Sequence, residues 1–142
     1  MDPNNPIVRL CAEGMEFEMK GELNEASKLF MTAWEQSADD FEKCIAAHYV
    51  ARHQKTAPDT LRWNQESLDR ANAVDGSLVQ GFYPSLYLNM GKSHEDLGNR
   101  EEAKRFYELA SANLNQLSAD RYGDIVRDGV ARGLQRISST ES

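Results

Sequence analysis

Cys11, Cys44 and His48 are the residues of this sequence that come nearest to a reactive set. Cys44 and His48 stand at i and i+4, so on a helix they share one face, a turn apart. Zinc takes thiolate and imidazole ligands in a tetrahedron, and a structural site closes with a fourth ligand. Here there is no C-x-x-C pair and no evident fourth donor. The thiols therefore read as small buried hydrophobes beside a hydrogen-bonded histidine, and neither a metal nor a cofactor is assigned. Other chemistry leaves no trace. The glycine loops that cradle nucleotide phosphates, the G-x-S-x-G elbow and the H-E-x-x-H zinc motif are all missing. Carboxylates such as Glu101 and Glu102 sit on polar helix faces, where solvation is reason enough for them. No catalytic residue is assigned, and the chain reads as a non-enzyme.

Composition narrows the partners. With 142 residues, 40% hydrophobic and 27% charged, the chain has an ordinary globular balance and length for one domain. Its net charge of −7, with Lys and Arg scattered among acids as in Arg100-Glu101-Glu102-Ala103-Lys104-Arg105, argues against nucleic acid, whose binders carry a basic stripe that releases counterions. It argues equally against an anionic membrane. The opening Met1-Asp2-Pro3-Asn4-Asn5-Pro6 has no basic flank and no apolar run behind it, so neither a signal peptide nor a membrane span is expected. Two cysteines make no disulfide framework, and reduced thiols in a cytoplasmic protein are the default expectation.

The elements that must position these residues emerge from an internal repeat. Laid over itself so that Gly14 meets Gly91, the sequence also matches Gly21 with Gly98, Glu25 with Glu102, Ala26 with Ala103 and Ala33 with Ala110, without a gap. Lys28 meets Arg105, Leu29 meets Phe106 and Phe30 meets Tyr107 in the same register. Within the first copy, Leu10, Gly14 and Phe17 share one helix face. Gly21 is suited to the positive φ that ends a helix. Ala26, Leu29, Phe30 and Ala33 then form one apolar stripe of a second helix. Tyr87, Met90, Gly91, His94, Gly98, Ala103, Phe106, Tyr107 and Ala110 repeat the pattern. His94 replaces an aromatic and reads as a core histidine with a partner.

This set of small and aromatic positions resembles the tetratricopeptide repeat, an antiparallel helix pair of about 34 residues. Gly14, Phe17, Ala26, Phe30 and Ala33 match all five of its marks, and Gly91, Ala103, Tyr107 and Ala110 match four. The offset between the copies exceeds two such periods, so a degenerate middle repeat is expected. Its first helix should run from about Phe41 to Gln54 with Ala47 as the small residue. Its second should start at a Thr56 cap ahead of Pro58 and end through Ser67, Leu68 and Ala71 near Gly76. After Leu117, Ser118-Ala119-Asp120 reads as a cap, and Tyr122, Ile125, Val126, Val130, Leu134 and Ile137 follow as one apolar stripe. Gly129 and Gly133 each cost about 1 kcal/mol inside a helix, so they mark a close contact with the third repeat. A polar Ser-Ser-Thr-Glu-Ser tail ends the chain. The fold expected is all-α: a right-handed α-solenoid of three tetratricopeptide-type hairpins plus a C-terminal capping helix, seven helices in a single domain over 1–142. The repeats fall at about 7–40, 40–78 with an insertion and 84–117, and the capping helix at about 119–138.

The resemblance implies a function of binding. In stacked repeats the first helices line a concave groove. The repeat register puts Val8, Cys11, Met15 and Met19 there, then Phe41, Cys44, His48 and Arg52, then Ser85, Leu88, Asn89 and Lys92: a methionine-rich end passing to a weakly basic one. Some family members grip the C-terminal carboxylate of chaperones with Lys, Asn and Arg. The matching positions here are Cys11, Met15, Ile45, Ser85 and Asn89, of which Asn89 alone fits, so that role is not carried over. Trp34 is expected to seal the first hairpin against the second, and Trp63, Phe82 and Tyr83 to form an exposed aromatic patch. The leading reading is a non-catalytic adaptor or scaffold for a protein or peptide partner. The alternative is a structural module that self-associates, as in a homodimer. A small-ligand binder or an enzyme ranks below both.

Overall fold

The computed structural model describes residues 2–139; Met1 and residues 140–142, the end of the polar tail, lie outside it. Among the described residues there are seven α-helices and no strand: α1 (Pro6–Met19), α2 (Leu23–Gln36), α3 (Asp40–Val50), α4 (Ala57–Asn72), α5 (Tyr83–Asp96), α6 (Arg100–Ala112) and α7 (Arg121–Ser139). The chain divides into two compact units, Met1–Asp75 and Gly76–Ser142, where the sequence pattern suggests one domain.

In the first unit, α1 pairs with α2 and α3 with α4, while α3 also lies against α1 and α2. Asn5 starts α1: its side-chain oxygen accepts from the N–H of Ile7 at 2.8 Å and of Val8 at 3.2 Å, with Pro6 opening the helix. The α1–α2 turn is closed by Gly21 at φ 78°, which lets Glu22 N–H reach the Phe17 carbonyl at 2.9 Å and Gly21 N–H reach that of Glu18 at 3.0 Å. Asp39 caps α3 on Glu42 N–H (2.8 Å), and the Glu42 carboxylate returns to Ala38 N–H (2.8 Å). Thr56 caps α4 through Asp59 N–H at 3.2 Å, as the sequence suggests. The helix expected from Phe41 to Gln54 ends earlier. Regular winding stops at Val50, Ala51–His53 forms a 3-10 turn, and Gln54 takes an extended conformation while its side-chain amide donates to the Val50 carbonyl at 2.9 Å.

The core of the α1–α2 hairpin is a ring laid on a glycine. Phe30 is fully buried, and a Cβ added at Gly14 would sit 2.3 Å from its ring. Trp34 seals the outer side: it meets Trp63 of α4 edge-on at 5.0 Å, Lys43 lies 4.1 Å above its ring, and the Lys43 ammonium donates to the Trp34 carbonyl at 2.8 Å.

The second unit repeats the crossing. Gly98 at φ 80° closes the α5–α6 turn, with Asn99 N–H on the His94 carbonyl at 2.8 Å. A Cβ at Gly91 would stand 2.7 Å from the Tyr107 ring, and one at Gly133 of α7 would stand 2.5 Å from it. Tyr107 is therefore clasped between two glycines on different helices. Gly129 meets Leu88 in the same way, at 2.9 Å. These are the close contacts that the two α7 glycines imply. Asp120 starts α7 by accepting from Gly123 N–H at 2.8 Å, and Val126, Val130 and Ile137 are buried with Leu134 half-buried beside them. Two members of the expected stripe fall outside it: Tyr122 is 52% exposed and Ile125 60% exposed. The contacts of Gly129 and Gly133 set the rotation of α7. Ile125 precedes Val126 by one residue, which turns it about 100° around the axis, and Tyr122 lies at the entry, where its hydroxyl bonds Ser85 Oγ.

Filling either crossing should force the hairpin apart. Gly14→Ala and Gly91→Leu are each expected to lower unfolding free energy by about 1–3 kcal/mol, measured by urea denaturation followed by circular dichroism. Gly81→Ala, whose Cβ would have an ordinary 3.8 Å contact with the Gln116 carbonyl, serves as the neutral control. Equal stability of all three would contradict the crossing.

Candidate functional site

Cys11 and Cys44 are both buried and both free. Burial pushes the Cys11 thiol up to about 12. Burial also pushes the Cys44 thiol up to about 11, although its bond to Ser67 acts the other way. The Ser67 hydroxyl donates to the Cys44 carbonyl at 2.8 Å and lies 3.6 Å from the Cys44 sulfur. In both, burial favours the neutral thiol over the thiolate. His48 is half-buried on α3 with its ring edge-on to Tyr49 at 5.1 Å. Burial, with the Arg52 charge adding to it, brings its pKa down to about 4. Among the described residues no three His, Cys, Asp or Glu side chains are grouped to hold a metal ion.

Of the remaining positions projected onto the groove from the first unit, Val8, Met15 and Phe41 are half-buried, while Met19 at the end of α1 is 88% exposed. Arg52 is exposed, yet it is not an open cation: its guanidinium lies 3.2 Å from one Glu18 oxygen, and His53 Nε2 lies 2.6 Å from the other. His53 in turn stacks on Phe30 at 5.6 Å. Arg52, one of the two cations expected at the weakly basic end of the groove, is therefore paired with Glu18, a residue that the sequence reading passes over.

In the second unit, Ser85 and Leu88 are buried, Leu88 under Gly129 of α7 and Ser85 on the Tyr122 hydroxyl. Neither offers surface to a partner. Asn89 is half-buried and Lys92 exposed. The equivalent of Glu18 in this unit, Glu95, is bound in the same manner. It accepts from Tyr107 Oη at 2.6 Å and from Arg136 Nε and Nη2 of α7 at 2.9 and 3.1 Å. Arg136 holds the Glu95 carboxyl below the usual carboxylate range, with Tyr107 assisting. Burial and the adjoining Glu95 raise the Tyr107 phenol.

The shared register of Glu18 and Glu95 could have flagged both, but their cationic partners lie far along the chain. None of the three residues expected to form an exposed aromatic patch is exposed. Trp63 is taken up by Trp34, Tyr83 stacks on Tyr87 at 5.5 Å, and Phe82 is half-buried. His94, expected in the core, is half-buried: its ring lies parallel to Phe106 at 5.5 Å, and its Nδ1 stands 3.2 Å from the exposed Asn99 amide.

Set beside known protein families, curated proteins and solved structures, the chain matches none.

The His48 environment has a consequence in acid. Its folded pKa lies below the ordinary 6.5, so the unfolded chain binds this proton first. Stability should fall as pH drops from about 6.5 toward about 4. His48→Gln, which cannot protonate, should flatten that slope in melting temperature against pH. An unchanged slope would show that His48 is solvated.

Proposed function

We propose that the chain is a non-catalytic tetratricopeptide-type protein, of the right-handed solenoid class its pattern resembles, that binds a peptide segment of another protein on the α1–α3 face. The observation that carries the reading is the recurrence of one crossing, Gly14 under Phe30 and Gly91 under Tyr107, with the same glycine-closed turn after each first helix. Helix pairs repeated this way present surfaces formed by their first helices. In the first unit that surface comprises Val8 and Met15 of α1 beside Phe41 and His48 of α3, with Cys11 and Cys44 buried. Asn5 ties the two helices together through a 2.9 Å bond to Glu42. With Arg52 held by Glu18 and His48 neutral, the face favours an apolar anchor over a carboxylate. No helix among the described residues is long and apolar enough to cross a membrane.

Self-association is the second reading, favoured by the exposure of Tyr122 and Ile125 on α7. Size-exclusion with light scattering separates the two. A monomer at micromolar concentration fits the adaptor, whereas a dimer that Ile125→Ser dissolves fits self-association.

For the adaptor, a partner captured from the native host is titrated against variants. Met15→Glu should weaken it about tenfold or more, because a charge would enter a desolvated contact, with helicity unchanged. Lys104→Glu, on α6, should leave it intact. The reverse pattern would move the partner off the α1–α3 face. Arg52→Glu is unsuitable as a probe of steering, since it would set two carboxylates against each other at Glu18.

A further inference from the structure

A hairpin corner that is covered within the second unit is bare in the first. In each unit a glutamate near the end of the first helix holds a cation from the end of a later helix: Glu18 holds Arg52 of the 3-10 turn after α3, and Glu95 holds Arg136 of α7. Thus α3 stands to the first hairpin as α7 stands to the α5–α6 hairpin. Beyond Arg136, α7 continues, and Arg100 at the start of α6 donates to the Ile137 carbonyl in that last turn. The residue in the register of Arg100 is Leu23, and that of Asp96 is Met19. Here α3 has already unwound at Ala51–His53 and the chain has turned away at Gln54. Leu23 is accordingly 53% exposed and Met19 88% exposed, two large apolar side chains at one hairpin corner.

The surroundings of that corner select its occupant. Glu16, one turn before Met19, and Glu22, next to Leu23, are exposed, and neither has an ion-pair partner among the described residues. Lys20, the cation among them, lies 5.7 Å over the Phe17 ring. In the second unit the corner residue Arg100 meets a carbonyl; in the first the corner is apolar with an acidic rim. An apolar side chain flanked by Lys or Arg is complementary to it. Helices carry such cations favourably in their final turn, where the dipole is negative, and methionine adapts to an irregular anchor.

We propose that the Met19–Leu23 corner docks the basic, amphipathic C-terminal turn of a helix from a partner protein. This rests on the peptide-binding reading but assigns a different face.

The probe is a synthetic helical peptide of about 14 residues of Leu, Ala and Lys, with lysines in its last turn, and a twin with Glu in place of each Lys. Fluorescence anisotropy should show the basic peptide binding the full chain about tenfold or more tighter than its twin. Leu23→Ser and Met19→Ser should each weaken it about fivefold or more. Glu16→Gln with Glu22→Gln should flatten its salt dependence, while Met15→Ser leaves its affinity unchanged. Amide shifts in the ¹⁵N spectrum should centre on residues 16–25. The proposal is overturned if both peptides bind alike, if neither binds at about 100 μM, or if shifts centre on Met15 and His48 and Leu23→Ser has no effect.

The native partner separates the two readings. Loss on Met15→Glu with full binding to Leu23→Ser keeps the α1–α3 face and removes the corner. Loss on Leu23→Ser with full binding to Met15→Glu does the opposite.

Discussion

An aromatic ring pressed onto a glycine Cα sets the distance between the helices of the α1–α2 and α5–α6 hairpins. Phe30 occupies the space that a side chain at Gly14 would need, and Tyr107 does the same at Gly91. Such an approach puts ring atoms in close contact with helix backbone, where dispersion contacts add up. It also costs backbone entropy, because glycine within a helix is worth about 1 kcal/mol less than alanine. The sequence accepts that cost four times at ring or side-chain crossings: at Gly14, Gly91, Gly129 and Gly133.

The glutamate after each crossing adds direction. Glu18 and Glu95 sit one turn beyond their glycines, and each gathers the polar group nearest the buried ring. In the first unit that group is His53, stacked on Phe30; in the second it is the hydroxyl of Tyr107 itself. Each then holds an arginine from a later helix. An exposed ion pair contributes little to stability. Here the arginines are exposed and the glutamates are the less exposed partners, each also bound to a group at the core ring, so the pairs tie the ends of α3 and α7 to the hairpins and add little to stability. The middle hairpin has Ala51 at that register position and no acceptor there. Cys11 and Leu88 share a register position, and both are buried.

Much of this was legible in the sequence. The helix count, the turns at Gly21 and Gly98, the Thr56 cap and the small–large pairing all follow from residue types with strong local preferences. The contacts of Gly129 and Gly133 followed from the cost of glycine in a helix. Projection of the groove did less well, because it fixes which side of α5 a residue occupies but not how far a later helix covers that side. Ser85 and Leu88 were lost in this way, and Arg52 was neutralised by a glutamate whose partnership spans α1 to the end of α3. Solvated carboxylates are common on helices, so Glu18 carried no signal of its own. The early unwinding of α3 comes with a Gln54 side chain bound to the Val50 carbonyl, and no periodicity announces that.

The central claim is that the α1–α2 and α5–α6 hairpins are held by coupled glycine–ring crossings. It is tested most directly by a double-mutant cycle of Gly14→Ala with Phe30→Leu, read by denaturant unfolding. A smaller side chain at position 30 makes room for the added methyl, so the double variant should be more stable than the sum of the single losses by about 1 kcal/mol or more. Losses that add to within about 0.5 kcal/mol would mean that Gly14 and Phe30 act independently, and that the crossing is not what sets the distance between the helices.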